Sequence, residues 1–172
     1  MFDGDSMREI LIIIAILGII VCASGCTDSA PENKTYSGNG VSFTYPGNWD
    51  LLDSTDTQTS LGNMGTVIVV VGVENQDMFG LYTVNIGENQ RLATPSEWLS
   101  TMKESIGSNY VSDKTITVDG EKGVQLTAQA SDGNNMYYAF WNKNGEGYMA
   151  LLVTETESQD LFDSIISTIE TS

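Results

Sequence analysis

Residues 66–73 read Thr-Val-Ile-Val-Val-Val-Gly-Val, an unbroken run of mostly β-branched apolar residues between two polar stretches. A run of that length and composition fits a strand buried on both faces, placed at the centre of a sheet. Such a strand needs a covering layer above and below its sheet. Two amphipathic helices are available as covers. The first is announced by Thr94-Pro95-Ser96-Glu97, an N-cap Thr with Pro at the first helical position and Glu at N3. Trp98, Leu99, Met102 and Ile106 then form one apolar stripe, and Gly107 is the expected stop. The second helix is expected from about Glu157 almost to the C-terminus. Leu161, Phe162, Ile165, Ile166 and Ile169 share its face, and Thr156 with Gln159 is the expected cap.

The remaining segments alternate with period two. Val41, Phe43 and Tyr45 share one face of a strand that Pro46-Gly47-Asn48 breaks; residues 49–52 resume it. Residues 53–65 form a long polar loop. Strands are expected at 81–86, 110–118, 124–130, 136–141 and 148–153. Turns fall at Asp119-Gly120, at 132–135 and at Asn144-Gly145, the last a strong hairpin signal. The order is four strands, helix, four strands, helix. Hairpin links make the sheet mainly antiparallel, and each helix must bury its stripe on it. The expected fold is α+β, an antiparallel sheet with helices on both faces in α/β/α layers.

The N-terminus reads differently. Residues 10–23 are apolar or small and lead into Ser24-Gly25-Cys26. The run falls short of the about 20 residues that span a bilayer core. It has the length and placement of a signal-peptide h-region before a small-residue cleavage site. Ala23-Ser24-Gly25-Cys26 resembles the lipobox of prokaryotic lipoproteins. The expectation is a signal over residues 1–25, lipid on Cys26 and a polar tether over 26–39, with one globular domain over 40–172. An uncleaved anchor and a buried core helix are the competing readings of the run. Asp3 and Asp5 precede Arg8, an unusual n-region, and a start at Met7 gives a more ordinary signal. Asn33-Lys34-Thr35 in the tether is a glycosylation sequon.

Charge and composition exclude several chemistries. The chain has a net charge of −16 and no histidine. An acidic surface repels nucleic-acid phosphates, so nucleic acid is not an expected partner. Ser-His-Asp and Cys-His catalysis and zinc sites built on His are excluded. Both cysteines, Cys22 and Cys26, lie in or beside the signal, so the domain carries no disulfide and relies on packing. No P-loop or G-x-G-x-x-G is present; Gly62-Asn63-Met64-Gly65 lacks the pattern and the basic residue. Carboxylate-pair hydrolysis stays open in a chain this acidic. Calcium is the one inorganic ligand to weigh: Asp53 and Asp56 in the long loop, and Asp132, Asn134 and Asn135 in a turn, supply oxygen. The competing reading is that Asp and Asn are there to shape turns. Tyr137, Tyr138, Phe140, Trp141 and Tyr148 span two strands and are expected mostly in the core, as is Trp49.

The segment Gly40-Val41-Ser42-Phe43-Thr44-Tyr45-Pro46-Gly47-Asn48-Trp49 resembles the opening of the PsbP/Mog1-like families, a G-hydrophobic-S-hydrophobic-x-Y-P-x-x-W strand and break. Those domains also end on a strand and an amphipathic helix. The resemblance implies an antiparallel sheet between helices. Family members include an extrinsic photosystem subunit associated with manganese and calcium, a small-GTPase nucleotide-release factor, and many lipid-anchored proteins. Without histidine, a metal site here would use oxygen ligands alone. The resemblance supplies no functional residues. The expected function is a non-catalytic binding or assembly module outside the cytoplasmic membrane, tethered by lipid on Cys26 and engaging a protein partner. The alternatives are a cation- or small-ligand-binding lipoprotein and a carboxylate-based hydrolase.

Overall fold

Asn144-Gly145 turns the chain with φ of 54° and 84°, both left-handed, as a tight two-residue hairpin requires. It joins β8 (Asn135–Lys143) to β9 (Glu146–Thr154), with Lys143 opposite Glu146. Asp119-Gly120 does the same, at 50° and 80°, between β6 (Tyr110–Val118) and β7 (Glu121–Gln129). A third such pair, Asn39-Gly40 at 50° and 75°, joins β1 (Lys34–Gly38) to β2 (Val41–Tyr45). The polar tether expected over 26–39 therefore gives way at Lys34 to an edge strand. Its composition looks unstructured because only Tyr36 packs on the core. The computed structural model describes residues 31–55, 58, 65–74, 76–85 and 91–172.

The other strands are β3 (Asp50–Leu51), β4 (Gly65–Gly72), β5 (Met78–Val84) and β10 (Glu170–Thr171). One antiparallel sheet has the order β3-β4-β5-β9-β8-β7-β6; a second, smaller one is β1-β2-β10. The centre of the large sheet is β9, not the apolar run of β4. Only the two residues of β3 lie beyond β4, pairing with Val71 and Gly72. Leu52 extends that pairing, its N–H donating to Val70 O at 2.9 Å. Further along the same edge, Gln58 replaces a strand: Oε1 accepts from Val67 N (2.7 Å) and Nε2 donates to Gly65 O (3.1 Å). Unbroken apolarity reports cover on both faces, and β4 obtains that cover without being central.

Alternation along β8 divides two cores. Tyr137, Ala139 and Trp141 point to one face, Tyr138 and Phe140 to the other. Helix α1 (Pro95–Ile106) lies on the second face, with the Trp98 ring parallel to Phe140 at 5.7 Å. Its expected capping box is formed: Thr94 Oγ1 accepts from Glu97 N, and Glu97 Oε2 accepts from Thr94 N at 2.8 Å. Gly107 ends it at φ 57°. Helix α2 (Gln159–Ile166) covers the first face, wedging Phe162 against Tyr137 and Phe79. The small sheet shares that face, sending in Val41, Phe43 and Tyr45. The α+β fold with a helix on each face thus stands, with a second sheet added to one layer.

The C-terminal helix is shorter than the apolar spacing predicts. It stops at Ile166, where Thr168 Oγ1 turns back to Ile165 O (2.8 Å) and accepts from Thr44 N (2.9 Å). Ser167-Thr168 offer the backbone side-chain partners that compete with helix. Ile169 still enters the core, and β10 then pairs with β2. The expected Thr156–Gln159 cap is not made. Ser158 is the N-cap, its N–H donates to Tyr137 OH (3.0 Å), and Gln159 bonds Asp163. The order is therefore five strands, helix, four strands, helix and strand among the described residues.

Candidate binding groove

Several residues singled out by sequence are spent on local structure. Asp53 Oδ1 accepts from Thr55 N (2.9 Å) and Thr55 Oγ1 (2.7 Å), which holds its pKa below the usual carboxylate value. Asp132 does the same for Asn134, both bonds being 3.0 Å, and Asn135 opens β8 opposite Thr154. Both carboxylates shape turns. No group of three or more His, Cys, Asp or Glu is arranged to hold a metal among the described residues. Asp56 and Cys26 lie outside them. Asn33 is exposed just before β1, and its neighbour Lys34 donates to Trp49 O (2.7 Å) and Asp50 Oδ1 (2.9 Å). Tyr137, Tyr138, Phe140, Trp141, Tyr148 and Trp49 are all buried. Ser100 and Lys103 stand at Ser-x-x-Lys spacing on α1, and Lys103 is ion-paired with Asp113, which raises its pKa. No helix among the described residues is long and apolar enough to cross a membrane.

The structure assembles a different site at the end of the sheet where the tight turns gather. An open groove of about 400 Å³ lies between the Asn39-Gly40 turn and the strands β4, β5 and β9. A second hollow of about 520 Å³ adjoins it, sharing Thr83 and Glu146. Thr66 and Thr83 face each other across β4 and β5. Thr66 Oγ1 lies 3.5 Å from Asn85 Oδ1. Asn39 Nδ2 fixes the turn over the groove by donating to Tyr36 OH and Ile68 O, each at 3.2 Å. The Tyr148 hydroxyl donates to Glu146 Oε2 at 3.3 Å, and its ring stacks on Trp141 at 5.4 Å. Burial, and then the Glu146 carboxylate, raise the Tyr148 pKa.

Glu146 would ordinarily pair with Lys143, directly opposite on β8. Lys143 is already taken. Its ammonium binds the Asp119 carboxylate and donates to Asp119 O at 3.3 Å. The same Asp119 Oδ2 accepts from Thr171 N and Thr171 Oγ1, both at 2.7 Å. These contacts, led by Lys143, lower the Asp119 pKa. Among the described residues no cation pairs with Glu146, and none lines the groove. The arrangement can accept hydrogen bonds and hold positive charge. Sequence reasoning missed Thr66, Thr83 and Glu146, which no local pattern marks. Asn39-Gly40 was open to discovery, since it repeats the Asn144-Gly145 signal.

No protein-family model matches the chain, and no curated protein matches it in sequence. The fold does match. The solution structure of cyanobacterial PsbP (CyanoP) from Synechocystis sp. PCC 6803 superposes with a TM-score of 0.57, over 88% of this chain and 99% of that one, at 18% identity. The fold is PsbP-like. The resemblance carried by residues 40–49 therefore holds for the fold. A crystal structure from Bacteroides thetaiotaomicron overlaps more loosely, with a TM-score of 0.47 and 10% identity, over 84% of this chain and 49% of that one.

Proposed function

We propose that this chain is a non-catalytic accessory module on the outer face of the cytoplasmic membrane, lipid-anchored through Cys26, which engages a protein partner there. The observation that carries the reading is the PsbP-like fold, matched over nearly the whole of a cyanobacterial PsbP. Ala23-Ser24-Gly25-Cys26 supplies the anchoring signal. Anchoring raises the concentration of the domain at the membrane surface, so a modest interface is sufficient for occupancy. A shallow groove of acceptors beside one carboxylate suits contact better than turnover, which requires groups placed to move protons or bonds.

Intact mass of the membrane-fraction protein, beside a Cys26→Ser control, tests the anchor. The expected mass is the chain from Cys26 plus acyl or ether lipid, lost in the control. A mass retaining residues 1–25 in both forms would make the segment an uncleaved anchor and remove the lipoprotein reading.

A further inference from the structure

We infer that the groove at Glu146 is a receptor for an arginine side chain on an extended segment of a partner protein. This rests on the accessory-module reading and specifies its contact. The first support is charge. Glu146 opens β9 as an exposed carboxylate whose cross-strand lysine is committed to Asp119. Its described contact is the Tyr148 hydroxyl. In a chain of net charge −16, with no cation among the described residues along either hollow, a cationic guest meets attraction at close range and at long range.

The second support is the donor–acceptor count. The groove offers the Glu146 carboxylate at one side and the Thr66 and Thr83 hydroxyls and Asn85 Oδ1 at the other. A guanidinium carries five N–H donors in a rigid plane and is able to address acceptors on two sides at once. An ammonium is a compact point charge with three donors and satisfies fewer of them. Ile68, in the same lining and packed on the same face as Tyr148, gives the aliphatic stem of arginine an apolar surface. Hollows of about 400 and 520 Å³ admit a side chain together with the backbone that presents it. The Asn39-Gly40 turn, pinned by the Asn39 amide to Tyr36 and Ile68, keeps the groove preformed.

The test is an amide chemical-shift titration of the full chain in a neutral detergent. The probe is acetyl-Gly-Arg-Gly-amide, beside its citrulline and lysine analogues. Saturable shifts are expected at Thr66, Thr83, Glu146 and Gly147. They should be absent with citrulline, weaker with lysine, and titrate roughly fivefold more weakly in Glu146→Gln. Glu155→Gln, just past the far end of β9, should leave the titration unchanged. Equal response to lysine overturns the arginine assignment. Shifts scattered over the acidic surface, indifferent to Glu146→Gln, or no shifts at all overturn the site. Photo-crosslinking from membranes separates the two levels. A Cys26-dependent crosslinked partner, with a groove that ignores the peptide, removes this inference and leaves the accessory reading standing. Absence of any crosslinked partner removes both.

Discussion

Asp119 occupies a left-handed turn position, yet its carboxylate ties together Lys143, 24 residues on, and Thr171, 52 residues on. Asp119→Asn keeps the tolerance for positive φ and removes the charge. It should cost about 2 kcal/mol, read from urea unfolding at neutral pH. Because the native pKa is depressed, this contribution is present above the ordinary carboxylate range and is lost as pH falls through the lowered native value. The gap between wild type and variant should therefore narrow in acid. Gln125 shows the opposite economy. It is 1% exposed, and neither amide atom has a hydrogen-bond partner; the Trp141 Nε1 is in the same position. Gln125→Met, similar in length and apolar, should raise stability by about 1 kcal/mol in the same assay. Neither role is legible in sequence. A carboxylate's distant partners leave no local pattern, and Gln125 occupies a position that alternation alone leaves open to solvent or core.

Elements were legible where their signals are local. The capping box of α1 spans three residues, so its chemistry is complete in the sequence. Thr94→Ala should cost about 1 kcal/mol and fray the first turn, visible as faster amide exchange there. The Arg91 pair, with the Thr94 contacts behind it, pushes the Glu97 carboxyl down to about 2. Its support for α1 is full above the ordinary carboxylate range and fades only as pH falls toward that value. A carboxyl NMR titration checks it. The tight turns were equally readable at Asp119-Gly120 and Asn144-Gly145. Gly120, at φ 80° with open space where a Cβ would stand, isolates the backbone cost: Gly120→Ala should lose about 1 kcal/mol in thermal melts without any clash. β1 and β10 were not readable. The first buries almost nothing, the second is two residues long, and both exist because β2 offers them a ladder. The end of α2 is hidden from sequence for a related reason, since Ile169 keeps helical spacing while serving the core from beyond the helix.

For the molecule as a whole, period-two and period-3.6 patterns sufficed for a sheet with a helix on each face. Strand order did not follow from them: runs of apolar residues report how much is covered, and β4 and β9 are both well covered. Hydrogen exchange should rank them by place in the sheet, with β9 amides last to exchange and β3 and β10 first. The two ends of the domain also differ. Lys34, where β1 begins, sits beside Asp50, while Gly38 at its other end leads into the turn over the groove. In the lipid-anchored arrangement proposed above, the anchor and the partner therefore hold opposite ends of one strand. A tug between them runs along β1, parallel to its axis. Ladder hydrogen bonds lie across that direction, so the pull is shared by all of them at once instead of peeling them open singly. Mechanical load, if membrane and partner move apart, meets this fold in shear.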